Sequence, residues 1–130
     1  MNGEPGSRRR SQVYFVYGGY VGLLFMLTHW PNLKLPDVVE RPDLYAHLGC
    51  FGTLSALTIA CAFFGPALSG RNVGWSAVVA LLYAAFDEAL QAIPFIHRTA
   101  ALDDYAANAT GIIGVAIIAW MIGLVRGGVA

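Results

Sequence analysis

Six residues in the second half of the chain, with one histidine upstream, are of types and spacing that could do chemistry together. Asp87, Glu88 and Gln91 stand in one apolar segment, Arg98 follows in a connection, and Asp104 and Asn108 open the next apolar segment, with His47 far upstream. Charge inside a segment apolar enough to enter a bilayer is costly, so it marks a functional site by default. A carboxylate with an imidazole partner suits acid–base chemistry, which makes Asp87, Glu88 and His47 the catalytic candidates. A guanidinium fork suits a carboxylate or phosphate, and amides fix a ligand by hydrogen bonds, which makes Arg98, Gln91, Asp104 and Asn108 the ligand-binding candidates.

Each of these residues also has a purely structural reading. Asp87 and Glu88 near mid-bilayer would each cost about 2.5–3.5 kcal/mol, so they must be paired, protonated or wet. An ion pair or hydrogen-bond network that fixes the bundle meets that need as well as a site does. Arg98 could pin the connection by bridging to Asp104 or Asp87, and Asn108 could be a hydrogen-bond post between helices. Asp103 suits a helix N-terminus, where the dipole favours an acid. His47 could be a base, a donor to a carboxylate or a metal ligand. No HExxH or paired-histidine spacing accompanies it, so no metal and no cofactor is expected. His29 and His97 read as interfacial residues, and Tyr45 and Tyr83 as packing residues whose hydroxyls reach the site.

The elements that must position these groups follow from composition. The chain has 130 residues, 57% hydrophobic and 12% charged, against about 25% charged in soluble domains. That predicts an all-α integral membrane bundle, and it excludes a nucleic-acid partner, which needs a basic face. Residues 1–12, with Arg8, Arg9 and Arg10, read as a disordered basic tail. Four apolar runs, about 13–30, 44–64, 73–93 and 103–125, read as transmembrane helices within one domain, 13–126. A signal peptide does not fit, because no small-x-small cleavage site precedes Pro31. Cys50 and Cys61 fall about 16 Å apart on one helix, too far for a disulfide. Gly18 and Gly22 form a GxxxG pair that admits a close helix, leaving room for a homo-oligomer.

Four spans put both termini on one side of the membrane. Arg8, Arg9, Arg10, Arg71 and Arg126 lie on that side and Lys34, Arg41 and Arg98 on the other, so the positive-inside rule makes the termini cytoplasmic. At a rise of 1.5 Å per residue, His47 lies about 5 Å, Asp87 about 9 Å, Glu88 about 8 Å, Gln91 about 3 Å and Asn108 about 8 Å below the outer boundary. Asp87 and Gln91 are i,i+4, as are Asp104 and Asn108, so each pair shares a face. Gly111 and Gly114 continue the Asn108 face inward. Three helices are therefore predicted to deliver polar groups to one outer band.

The pattern Asp87-Glu88-x-x-Gln91, then Arg98-x5-Asp104-x3-Asn108-x2-Gly111-x2-Gly114, with His47 upstream, resembles the VanZ-like membrane proteins. The resemblance covers roughly residues 43–114. It implies a small multi-spanning protein of the bacterial inner (plasma) membrane, in a family whose founding member is associated with resistance to teicoplanin. Two positions depart from the family's pattern before and through the second span. Asp43 and His47 match, but Leu44 stands for the usual lysine and Phe51 for the usual tyrosine.

The expected function is recognition of an envelope ligand in an outward-facing polar pocket. Membrane lipid, an anionic lipid-linked precursor or a lipidated glycopeptide are the expected partners, with Arg98 on the anionic group. The alternatives are an intramembrane enzyme, with Asp87 or Glu88 and His47 as acid and base, and a structural membrane protein. A proton-coupled carrier is disfavoured, because Val78-Val79-Ala80-Leu81-Leu82 offers no relay inward of Asp87.

Overall fold

The computed structural model describes residues 5–30, 40–91 and 102–127. They form four helices: α1 (Pro5–Thr28), α2 (Pro42–Cys61), α3 (Gly70–Gln91) and α4 (Leu102–Gly127). Among the described residues there is no strand. α2, α3 and α4 are each long and apolar enough to cross a membrane. α1 is also long enough, but its three arginines, three tyrosines and four glycines make it less apolar. Helix begins at Pro5, inside the stretch read as a tail. Proline is tolerated in a first helical turn, and no breaker separates it from the apolar run.

α2 opens with Pro42 in its first turn and Asp43 beside the positive end of the helix dipole. It closes at Cys61, three residues before the predicted bound. Ala62 turns left-handed (φ 54°) and returns its N–H to the Ile59 carbonyl. Gly65 then takes φ 144°, a conformation open to glycine. Asn72, fully buried, holds this turn together. Its Nδ2 donates to the Ile59 and Ala67 carbonyls at 3.0 and 2.8 Å, and its Oδ1 accepts the Phe64 N–H at 3.1 Å. Asn72→Ala strands the Phe64 N–H and the Ala67 carbonyl at about 1–3 kcal/mol each if they stay buried, while the Ile59 carbonyl keeps the Ala62 N–H. The expected outcome is a loss of at least about 2 kcal/mol in a denaturant titration of the detergent-solubilised protein.

α2 is the central helix and touches the other three, α4 most closely. A Cβ on Gly111 would run into the Leu48 carbonyl, and one on Gly123 into the Leu68 carbonyl, so α4 meets α2 and the following turn backbone to backbone. Ser55 Oγ donates to the Ile112 carbonyl across the same contact at 3.3 Å. Tyr20 OH donates to the Cys50 carbonyl at 2.8 Å and ties α1 to α2. Both cysteines are free thiols.

The side chains are distributed unlike those of a water-soluble bundle. The buried described residues comprise nine apolar and nine polar side chains, while Phe15, Leu82, Ile118 and Val125 are more than half exposed. Apolar groups outside and polar groups inside fit lipid as the solvent, where every polar group must find its partner within the protein. The chain is a helical membrane protein by this criterion and by its three span-length helices.

Candidate functional site

The polar residues meet at one end of the bundle, where α1 and α3 finish and α2 and α4 begin. They form two clusters. The first joins α1 to α3. Asp87 has no exposed surface, and its Oδ1 accepts from Thr28 Oγ1 at 2.8 Å while its Oδ2 accepts from Gln91 Nε2 at 3.0 Å. His29 Nδ1 stands 3.6 Å from the same Oδ1 and 2.9 Å from the Phe25 carbonyl, and its ring stacks on Phe25 at 4.1 Å. A carbonyl only accepts, so Nδ1 carries a proton, and the buried Nε2 has no partner. Glu88, also buried, follows Asp87 at about 100° around the helix.

The second cluster joins α2 to α4. His47 Nδ1 lies 3.0 Å from Asn108 Oδ1, and His47 Nε2 lies 3.8 Å from Asp104 Oδ2. Asn108 has no exposed surface, yet its Nδ2 has no hydrogen-bond partner, and neither has the buried Oδ1 of Asp104. The close passage at Gly111 is what brings Asn108, one turn above it, within reach of His47.

Phe51 lies between the clusters. Its ring stacks with His47 at 6.2 Å and tilts against Tyr83 at 6.2 Å. The Tyr83 hydroxyl is buried without a partner, one turn before Asp87. Phe51 thus touches a residue of each half, which joins the two clusters into one region.

At the rim, Arg41 donates to Asp103 Oδ2 at 2.6 Å and to Asp43 Oδ2 at 3.4 Å, linking the starts of α2 and α4. The Asp103 carboxylate beside it pushes the Arg41 guanidinium above its ordinary range, so it is permanently charged. All three side chains are about half exposed.

No protein-family profile, no curated protein and no solved structure matches the chain.

Five of the predicted site residues thus gather directly: His47 with Asp104 and Asn108, and Asp87 with Gln91. Glu88 is buried next to Asp87. Arg98, with His97, lies outside the described residues. His47 directs its nitrogens to α4, and both Asp87 oxygens are occupied by Thr28 and Gln91, so the predicted acid–base pairing of His47 with Asp87 is not a direct contact. Sequence reasoning missed Thr28, His29 and Arg41. His29 was read as interfacial, but its ring side chain is only 11% exposed and faces Asp87. The available signal was the depth of its end of α1, which matches that of Asp87 near the end of α3, a helix running in the same direction. Among the described residues, no three histidines, cysteines or acids are grouped to hold a metal ion.

Proposed function

We propose that the chain is a VanZ-like integral membrane protein of the bacterial inner membrane. It would cross four times, with cytoplasmic termini, and bind a lipid-linked envelope molecule in an outward-facing polar pocket. The spacing of Asp87, Glu88, Gln91, Arg98, Asp104, Asn108 and His47 supports the family. The exposed Arg8, Arg9, Arg10, Arg71 and Arg126 at the opposite end support the orientation. One observation carries the pocket reading. The fully buried Asn108 and the neighbouring Asp104 each keep an unpartnered polar atom beside His47, at the end of the bundle that would face outward. Most buried polar groups in folded proteins are satisfied, so two open atoms on neighbouring side chains, one of them of a carboxylate, call for a partner.

The test is the envelope phenotype, read as glycopeptide (teicoplanin) susceptibility of a bacterial host making the protein. Asn108→Ala and Arg98→Ala are each expected to abolish any protection at unchanged protein level and melting temperature. Full protection by both variants would remove the pocket from the mechanism. Topology is tested separately. In a background with Cys50 and Cys61 replaced by serine, Glu40→Cys should react with a membrane-impermeant thiol reagent on whole cells. Arg126→Cys should react only after permeabilisation.

A second reading, an intramembrane enzyme, is favoured by one arrangement alone. His47 between an amide and a carboxylate is oriented as a general base would be.

A further inference from the structure

The net charge of zero hides a strong separation of charge along the bundle. Five arginines stand at the end holding the start of α1. The described residues of the other end carry six acids, Glu40, Asp43, Asp87, Glu88, Asp103 and Asp104, and one arginine, Arg41. The two connections that join the helices there add Asp37 against Lys34 and Arg98. Arg41 makes its close ion pairs with Asp103 and Asp43 and acts on Asp104 only through space, as the weakest of the charges around it. Both of those acids lie within electrostatic range of Asp104 and add to its negative field.

Inside this field sits the unsatisfied pair. A direct imidazolium–carboxylate hydrogen bond closes to about 2.7–2.9 Å. The His47–Asp104 separation is 3.8 Å, which leaves the carboxylate without a close donor. The amide of Asn108 can be turned over with no change in the space it fills, since its oxygen and nitrogen are interchangeable in position. Its Nδ2 then donates to His47 Nδ1, and its oxygen becomes the unpartnered atom. The site in that form presents two acceptors, Asn108 Oδ1 and Asp104 Oδ1, one neutral and one charged, with His47 Nε2–H turned toward Asp104 Oδ2. In the other orientation the acceptors are His47 Nε2 and Asp104, and Asn108 Nδ2 is an open donor beside them. In the turned-over form, where the open atoms are all acceptors, the missing partner is a positively charged group with several N–H donors and little bulk.

We infer that the His47–Asp104–Asn108 site binds a primary ammonium group. Three donors on one compact cation match the acceptors. A quaternary ammonium has the charge and no donor, and the Phe51 ring beside the site is already stacked with His47. This inference rests on the outward-pocket reading and names the charge and class of its ligand. The ammonium can come from a lipid headgroup or from a soluble amine.

The experiment uses the full chain in nanodiscs. One set combines phosphatidylglycerol with phosphatidylethanolamine, the other phosphatidylglycerol with phosphatidylcholine, whose headgroup has three N-methyl groups in place of the three N–H donors. Native mass spectrometry is expected to show the ethanolamine lipid retained over the choline lipid by about tenfold or more, the effect of hydrogen bonds to a charged group. In discs of phosphatidylglycerol alone, O-phosphoethanolamine should raise the melting midpoint and phosphocholine should not. A response in the lipid arm only assigns the ammonium to a headgroup, and a response in both assigns it to any accessible primary amine. Asp104→Asn should abolish the preference, and Asp103→Asn should keep it.

Equal retention of the two lipids together with no shift from O-phosphoethanolamine would overturn the inference, and this wild-type comparison needs no variant to fold. So would a preference that survives Asp104→Asn. Loss of the envelope phenotype in Asn108→Ala without any headgroup preference would sink the ammonium and leave the pocket standing. A headgroup preference without a phenotype would do the reverse.

Discussion

Alanine at Gly111 should unseat α4 from α2, whereas alanine at Gly114 should be harmless. A Cβ at Gly111 would meet the Leu48 carbonyl and the Gly52 N–H, both backbone atoms that cannot swing aside. The helices must separate, and overpacking of this kind costs about 1–3 kcal/mol or more. A Cβ at Gly114 meets nothing within 4 Å, so alanine there is free to raise helix propensity by up to about 1 kcal/mol. The two variants change the same residue type in the same way, three positions apart on one helix. A denaturant titration in detergent should therefore rank Gly114→Ala at or above wild type and Gly111→Ala well below it. Because His47 and Asn108 meet one turn above Gly111, Gly111→Ala should also lose any function of the pocket before the fold is lost. Equal stability of the two variants would refute the close α2–α4 passage.

Asp87 should prove indispensable as an acceptor and replaceable as a charge. It is the acceptor that Thr28 of α1 and Gln91 of α3 share. Asp87→Leu leaves the buried Gln91 amide without this acceptor, at about 1–3 kcal/mol, and returns the Thr28 hydroxyl to the Leu24 and Phe25 carbonyls of its own helix. It also removes the only side-chain hydrogen bond between α1 and α3 among the described residues. Asp87→Asn keeps the shape. Its Oδ1 still accepts from Thr28, and the Gln91 amide can turn its oxygen toward the new Nδ2. The expected result is a large loss of stability for Asp87→Leu and a small one for Asp87→Asn. Thr28→Val should resemble the leucine variant in loosening α1. If Asp87→Asn is as damaging as Asp87→Leu, the carboxylate acts through its charge, and the acid–base reading of this residue gains what the bundle-fixing reading loses.

Much of the candidate site was legible in the chain because helical spacing maps directly onto space. The i,i+4 relation puts Gln91 beside Asp87 without further information, and the distance is 3.0 Å. Depth was legible too: counting 1.5 Å per residue from each helix end placed His47 and Asn108 at similar levels, and they lie 3.0 Å apart. Rotation of one helix against another was not legible. It decides that His47 turns toward α4 rather than toward Asp87. It decides also that Thr28 and His29, on a helix read as peripheral to the site, close the acid off from α1. The same holds for glycine: Gly111 and Gly114 are alike in sequence, and only the position of Leu48 separates them.

The sequence by itself determined that this is a bundle of apolar helices with its acids gathered toward one end and its arginines toward the other. Hydropathy and low charge leave the backbone no partner but itself, and helix is then the local solution. The tertiary structure alone decided which polar groups saturate one another and which stay open. Asp87 is closed by Thr28 and Gln91, while Asp104 and Asn108 each keep a free polar atom. The physical reason is that satisfaction of a buried group is set by azimuth and by a few tenths of an ångström between helices. That is fixed by how closely glycine lets two backbones approach, not by the order of residues along either one.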